Sequence, residues 1–440
     1  MASIDWTARR VTIMGLGSHG GALGAARYLA RQGARVTISD TAPSEALGES
    51  LGLLADVPIA RLAFGGHDEA DFRTAEFVVV NPAVRPGHPC LQIAQASGAK
   101  LTSEIELFLQ RCLVRVVGVT GSNGKSTTCA MLAAMFTTAG RRVWLGGNFG
   151  GSLLDDVETM TPDDWVILEL SSFQLARLSE GTPLPAIAVV TNCAPNHLDW
   201  HGSFAAYRMA KQRLISGQSA AGIGVLNQHD GSLDGWNSVA GGSVRDAWPL
   251  ERLPSLAVPG QHNRQNAACA AAAASAAGVS DGAIVTALAE FRGLEHRLQF
   301  VAEIAGRHYY NDSKSTTPEA TLAALAAVDR PVWLLAGGQS KGVAFEPLAR
   351  AIVARAQGAA LFGAARQELH ACLKAYAPNF NARMSERLDK ALAWCAGRAR
   401  EGDAILLSPA CASLDQFRDF TARGEMFCNL VRGLAPRAAR

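Results

Sequence analysis

The sequence has no apolar run long enough to cross a bilayer. Its longest small-apolar stretch, Ala267 to Val279, is alanine-rich, is interrupted by Ser275, and falls short of the ~20 residues that a spanning helix needs. The N-terminus carries no apolar segment of the signal-peptide kind; Asp5, Arg9 and Arg10 precede a short strand-like run. There is no block of like charge, because 41 Lys and Arg stand against 39 Asp and Glu for a formal net charge of +2. That balance argues against a nucleic-acid arm and a polybasic anchor, so neither nucleic acid nor membrane insertion is expected. No CxxC pair occurs. The nine cysteines (90, 112, 129, 193, 269, 372, 395, 411 and 428) are scattered, which reads as reduced thiols in a cytosolic protein rather than disulfides or a zinc site. No repeat of solenoid period is visible.

What is present is a folded composition: 440 residues, 48% hydrophobic and 18% charged. At roughly 150 residues per domain this predicts about three domains. Near-neutrality leaves a phosphate ligand open, since such sites are built from a few local groups. Short β-branched runs alternate with Ala/Leu/Arg-rich helical runs, a pattern of α/β architecture with mainly parallel sheets. Strands are expected at Val11–Met14, Arg35–Ser39, Phe77–Asn81, Val114–Thr120, Trp165–Leu170, Ala186–Asn192, Gly222–Leu226, His308–Asn311, Val332–Ala336, Ala359–Phe362 and Ala404–Ser408. Among the expected helices are Gly21–Gln32, Lys125–Ala139, Phe204–Ile215, Asn263–Ala277, Arg387–Ala399 and Leu414–Val431. Three blocks follow: residues 1–112, 113–297 and 298–440. Gln228 to Pro259 is rich in Gly, Ser, Asp and Pro and reads as irregular, with room for short antiparallel strands.

Two glycine motifs carry the chemistry. Gly15-Leu-Gly-Ser-His-Gly20 follows a strand and precedes a helix, and Asp40 ends the next strand. Taken alone this is a dinucleotide fingerprint that favours NAD. Any nucleoside diphosphate can use the same loop, and a tight turn without ligand is the third reading. The second motif, Val116-Val-Gly-Val-Thr-Gly-Ser-Asn-Gly-Lys-Ser-Thr127, is a strand, a glycine loop and a helix start, although Val119 stands where the strict P-loop has glycine. Gly121 and Gly124 let the backbone wrap a phosphate, Lys125 supplies a point charge, and Ser126 or Thr127 can ligate Mg²⁺. An ATP site is expected here. Glu169 lies in an apolar strand, where a lone carboxylate is costly unless a cation such as Mg²⁺ or an arginine meets it. His197 follows the next strand, where ligands of open α/β sheets gather. By periodicity alone Lys211 is an ordinary helical lysine.

Together these motifs resemble the Mur ligase family, amide-forming ATP-dependent enzymes of peptidoglycan assembly. The resemblance rests on Thr120-Gly-Ser-Asn-Gly-Lys-Ser-Thr127, Gly146-Gly-Asn148, Leu168-Glu-Leu-Ser-Ser-Phe-Gln174, Gly260-Gln-His-Asn263, His296-Arg297, Asn311-Asp-Ser-Lys314 and Ser408-Pro-Ala-Cys-Ala-Ser-Leu-Asp-Gln-Phe417. It implies three domains: an N-terminal Rossmann-like domain for a UDP-sugar, a central P-loop ATPase-type domain with a mainly parallel sheet, and a C-terminal Rossmann-like domain for the amino acid. The implied reaction adds D-glutamate to UDP-N-acetylmuramoyl-L-alanine through an acyl phosphate, with domain closure around the divided ligands.

On the same resemblance, Lys125, Asn148, His197 and a carbamylated Lys211 are the catalytic set. Ser126, Glu169, His197 and Lys211 hold two Mg²⁺ ions. ATP is held by Gly121, Ser122, Asn123, Gly124, Lys125, Ser126 and Thr127, with Asn263, Asn266, Arg297, Asp312 and Lys314. The UDP-sugar is held by Gly15, Leu16, Gly17, Ser18, His19, Asp40, Thr41 and Asn81, with Asn148 and His197. Glutamate is held by Thr316, Lys341, Ser413, Leu414 and Phe420. Asn81-Pro-Ala83 replaces the Ser-Pro-Gly common in the family, and His19 stands where Thr or Ser is common. A monomer in the cytoplasm is expected. The competing readings are a ligase of the same superfamily with another acceptor, an NAD-dependent oxidoreductase, and a non-catalytic nucleotide-binding regulator.

Overall fold

The computed structural model describes residues 4–17 and 20–434. Its strands form three sheets. The first takes β1 (Arg10–Met14), β2 (Arg35–Asp40), β3 (Arg61–Phe64), β4 (Phe77–Val80) and β5 (Lys100–Thr102) in the order β3-β2-β1-β4-β5, all parallel. The second takes β6 (Arg115–Thr120), β7 (Val143–Gly147), β8 (Trp165–Glu169), β9 (Ile187–Val190), β10 (Ile223–Leu226) and β11 (Ser243–Asp246) in the order β11-β10-β9-β6-β8-β7, again all parallel. The third takes β12 (Gln299–Ile304), β13 (Arg307–Asn311), β14 (Val332–Gly337), β15 (Ala356–Phe362), β16 (Ala382–Met384) and β17 (Ala404–Leu407) in the order β12-β13-β17-β14-β15-β16.

Central strands are mainly apolar because helices cover both faces of a parallel sheet. Every residue of β8 and of β14 is buried. Along β14 the alternation sorts the side chains. Leu334 enters one apolar cluster, and Trp333 and Leu335 enter the other.

The chain separates into two compact units. One runs through Leu253 and includes Gln265–Ala287; the other joins Pro254–Arg264 to the residues from Leu288 onward. The first unit holds the first two sheets, and one apolar cluster runs through both, from Ile13 and Val36 to Leu168 and Val190. Among the described residues no helix is long and apolar enough to cross a membrane.

Two expectations are corrected. The 228–259 stretch contributes one strand, β11, and it joins β10 in parallel rather than antiparallel. Residues 227–242 cross over through two 3-10 turns instead of reversing the chain directly. The antiparallel pair lies elsewhere, at β12–β13. There Ala305 (φ 50°) and Gly306 (φ 70°) make a two-residue turn with both central residues left-handed, the geometry that suits a twisted hairpin. The C-terminal helix begins at Phe420, not at Leu414. The Asp419 carboxylate accepts the Ala422 N–H at 2.8 Å and caps it there.

Leu334 is 0% exposed at the centre of the third sheet. Leu334→Ala is expected to lower stability by about 2–5 kcal/mol, read from the urea transition reported by Trp333 fluorescence.

Candidate active site

The first unit presents two sheet heads. In the first sheet, chain order reverses between β1 and β4, and ligands of open parallel sheets bind where it does. Gly15 follows β1 and Asn81 follows β4, and the Asn81 amide donates to the Gly15 carbonyl at 3.1 Å. Gly15 and Gly17 are left-handed (φ 84° and 61°), and a side chain on either would crowd Asn81. Asp40 faces this loop: Oδ2 accepts the Leu16 N–H at 2.7 Å and the Gly17 N–H at 3.3 Å, and Oδ1 accepts from Ala42. The acid that the NAD reading assigns to a ribose is therefore occupied in shaping the loop. Thr41 is exposed beside it. Ser18 and His19, expected to touch the sugar diphosphate, lie outside the described residues.

In the second sheet, loops after the adjacent strands β6, β8 and β9 converge. The phosphate loop leaves β6 at Gly121 and enters the helix Lys125–Thr138 at Gly124, whose φ is 83°. A Cβ at Gly124 would strike Asn266, so the structure brings that expected nucleotide residue onto the loop. The loop after β9 brackets the other side: Asn123 exchanges hydrogen bonds with Asn192, and its carbonyl accepts the Thr191 hydroxyl at 2.6 Å. Ser122 Oγ contacts the Ala194 backbone and the Tyr207 hydroxyl. Ser126 and Thr127 are buried at the start of the helix.

Glu169 ends β8 and is 2% exposed. Its carboxylate accepts from Ser126 Oγ and from Asn148 Nδ2, each at 2.6 Å, and it makes no ion pair among the described residues. Lys211 lies on the helix Phe204–Ser216, four residues after Tyr207, and is 1% exposed. Its Nζ donates to the Gly121 carbonyl at 2.7 Å and to Thr120 Oγ1 at 3.4 Å, above the Tyr207 ring. Lys125 Nζ donates to the same Gly121 carbonyl at 2.9 Å. Burial first, and the Lys125 charge second, bring the Lys211 pKa down to about 7. Periodicity alone reads Lys211 as an ordinary helical residue; the fold makes it a buried ammonium under the phosphate loop.

His197 sits in the left-handed region (φ 53°) at the start of a short helical turn. Its ring packs against Phe173, and its pKa is lowered first by partial desolvation and then by Lys125. Of the four expected metal ligands, the structure puts Ser126 and Glu169 in contact. His197 and Lys211 make no hydrogen bond to Glu169. Among the described residues, no group of three or more His, Cys, Asp or Glu side chains could hold a metal. A cavity of about 430 Å³ connects the two sheet heads; Gly17, Asn81, Glu104, Asn148 and His197 line its polar part, and Phe173 and Trp200 its apolar part.

The second unit gathers its own set. Asp312 is buried and accepts from Ser408 Oγ at 2.8 Å and from the Leu298 N–H at 3.1 Å, and burial raises its pKa to about 6. Arg297 lies near enough to moderate that rise. Lys314 stands 5.7 Å from the Phe420 ring, and Asn263 donates to the Pro259 carbonyl. Lys341 Nζ donates to Thr316 Oγ1 at 3.2 Å, Ser413 is buried, and Leu414 is 67% exposed. One organising residue here escapes sequence motifs. Arg423, 0% exposed, donates to Ser313 Oγ, the Ser313 carbonyl and the Cys411 carbonyl, and Ser313 Oγ donates to the Phe420 carbonyl. Its signal is helical spacing: Phe420, Arg423, Gly424, Phe427 and Val431 share one face.

A glycine loop running from a parallel strand into a helix that opens on Lys125 and Ser126 defines a P-loop α/β protein. The chain belongs to the Mur ligase family. Three family models match in order: "Mur ligase MurD-like, N-terminal domain" over residues 9–103, "Mur ligase middle domain" over 119–246, and "Mur ligase, glutamate ligase domain" over 296–411. It is similar to the UDP-N-acetylmuramoylalanine–D-glutamate ligase of Roseiflexus sp. (strain RS-1), 37% identical with 96% of this chain and 98% of the relative covered. The enzyme of the same name from Geobacillus kaustophilus (strain HTA426) is also 37% identical, with 97% and 98% covered. The fold is shared with the UDP-N-acetylmuramate-alanine ligase MurC of Thermotoga maritima (TM-score 0.57, 19% identity, 96% and 99% covered).

Lys211 loses its charge on burial far more readily than in the unfolded chain, so the unfolded state binds more protons between pH 7 and 10 and stability rises with pH there. In CO₂-free buffer, wild-type stability is expected to gain up to about 1.4 kcal/mol per pH unit over that window relative to Lys211→Met, measured by urea unfolding at stepped pH.

Proposed function

We propose that this chain is an ATP-dependent ligase that adds D-glutamate to UDP-N-acetylmuramoyl-L-alanine in peptidoglycan precursor synthesis. The observation that carries the proposal is the phosphate loop whose Gly121 carbonyl receives both Lys125 and the buried Lys211, beside the buried carboxylate of Glu169. Full-length similarity to ligases of that name supports the choice of substrates.

The alanyl carboxylate takes the γ-phosphoryl group of ATP and ADP leaves. The glutamate amine then attacks the acyl phosphate, and phosphate departs as the amide forms. Phosphoryl transfer demands mainly charge neutralisation and positioning. Gly121, Ser122, Asn123, Gly124, Ser126 and Thr127 cradle the phosphates, and Lys125 turns from its carbonyls to the anionic oxygens. Asn263, Asn266, Arg297, Asp312 and Lys314 hold the rest of the nucleotide. Gly15, Leu16, Gly17, Asp40, Thr41 and Asn81 hold the UDP-sugar, and Asn148 and His197 orient its alanyl end. Thr316, Lys341, Ser413, Leu414 and Phe420 receive glutamate, with the Lys341 ammonium opposite a carboxylate. Domain seams fall near Cys112 and Arg297, and the enzyme works as a cytoplasmic monomer.

The donor set fits Mg²⁺. A buried carboxylate with no ion pair among the described residues is costly, and Glu169 is such a group. Ser126, Glu169, His197 and carbamylated Lys211 would hold two ions, which supply Lewis-acid neutralisation of phosphate charge when bound. A Lys211 pKa of about 7 leaves a neutral amine near physiological pH, the form that adds CO₂ and releases a proton to become a carbamate.

Phosphate release with ATP and UDP-N-acetylmuramoyl-L-alanine is expected with D-glutamate and not L-glutamate. The opposite preference overturns the substrate assignment. Lys125→Ala is expected to lower kcat on the order of 10²–10³-fold. Lys211→Ala is expected to be inactive and partly restored by short carboxylates; absence of rescue removes the carbamate.

A further inference from the structure

The cavity between the two sheet heads is offered to a ligand with a dianionic diphosphate, yet its lining includes a carboxylate that no cation meets. Glu104 opens the helix Glu104–Arg111 immediately after β5 and lines that cavity. Its Oε1 accepts the Ser152 hydroxyl at 2.6 Å. Ser152 is held in place by Gly24: any side chain at Gly24 would collide with Ser152, so the glycine lets the 152 segment close onto the helix Gly21–Arg31. The other oxygen, Oε2, lies 3.9 Å from where a Cβ on Gly21 would stand, at the N-terminus of that same helix. That end follows the first glycine loop and has no side-chain cap. A helix N-terminus and its dipole favour an anion, so an ionised Glu104 would compete with a diphosphate for the same place.

The charged groups around Glu104 have other partners. On the helix Gly21–Arg31, Arg27 is ion-paired with Asp155 of the facing segment. On its own helix, Glu106 accepts from Ser179, Thr182 and Gln110. Across the cavity stand Asp199, which is paired with Arg85 at 3.7 Å, and His197. Among the described residues no ion pair compensates an anion at Glu104, and an unpaired carboxylate in the cavity is a poor receptor for a dianion.

We propose that Glu104 is a substrate-recognition residue that meets the nucleotide-sugar as a neutral carboxylic acid, Ser152 fixing Oε1 while the Oε2 proton is donated to an oxygen of the ligand's diphosphate. This rests on reading the cavity as the UDP-sugar site. Burial raises the Glu104 pKa to about 7, with the Ser152 hydrogen bond opposing, so both protonation states are accessible near neutrality. Below that value the free protein already carries the proton. Above it, binding must take one up, and affinity falls by up to about tenfold per pH unit. A sugar diphosphate carries only diester phosphates and does not titrate in this range, so the dependence belongs to the protein.

The test is calorimetric titration of the full chain with UDP-N-acetylmuramoyl-L-alanine, without ATP or glutamate, at pH 6.5, 7.5 and 8.5. Wild type is expected to weaken about 25-fold across the range. At pH 8.5 it should also take up close to one proton, read from buffers of different ionisation enthalpy. Glu104→Gln, which keeps a donor and carries no charge, is expected to bind tightly and lose both the pH slope and the proton uptake. Matching thermal unfolding of the two proteins checks that the fold is intact. A Glu104→Gln variant that weakens at every pH shows an anionic Glu104 and overturns the inference, as does a slope that survives the substitution. Wild type that fails to bind the nucleotide-sugar at any pH overturns the reading of the cavity and this inference together.

Discussion

Two ammonium groups rest on one carbonyl oxygen. Lys125 reaches Gly121 from the helix that follows the loop, and Lys211 reaches it from the helix Phe204–Ser216 beneath. Burial first, and this convergence second, depress the Lys211 pKa. Two like charges around one acceptor repel each other. Lys125 has the loop carbonyls of Gly121 and Ser122 among its partners. Lys211, nearly sealed from solvent, can relieve the repulsion only by losing its proton or gaining a negative group.

On the proposed reading, the same arrangement lets a chain of formal charge +2 receive highly anionic ligands. Neutralisation is local. Helix N-termini at Gly21 and Lys125, a few lysines and backbone N–H groups carry it, and acidic groups near them are kept occupied. Asp40 is bound to loop N–H groups and Glu169 to Ser126 and Asn148. Burial keeps Asp312 and Glu104 from ionising as readily as exposed carboxylates. In the second unit, Arg423 plays the organising part, tying the segment after β13 to the segment after β17. A buried guanidinium donating to carbonyls holds these loops without consuming a surface charge.

Much of this was legible in the sequence. Apolar β-branched runs marked the central strands, because a strand buried on both faces can carry little else. The glycine loops were readable because left-handed backbone, as at Gly15, Gly17 and Gly124, leaves few alternatives to glycine. Edge elements were harder: β3, β5, β11 and β16 are three or four residues long and partly exposed, too short for a periodic signal. The β12–β13 hairpin was missed because Ala305 adopts a turn conformation usually left to glycine or asparagine.

By itself, the sequence determined the fold class, the two glycine loops and the residue types at the heads of the sheets, since these follow from local periodicity and conformational need. Only the tertiary structure decided what each charge meets. Lys211, Glu104 and Arg423 each look like an ordinary helical residue, with three- and four-residue spacing and no motif of its own. Their character comes from segments distant in the chain: Gly121 for Lys211, Ser152 for Glu104, and Ser313 for Arg423. Desolvation and hydrogen bonding are properties of those encounters, and no stretch of sequence around any of the three contains its partner.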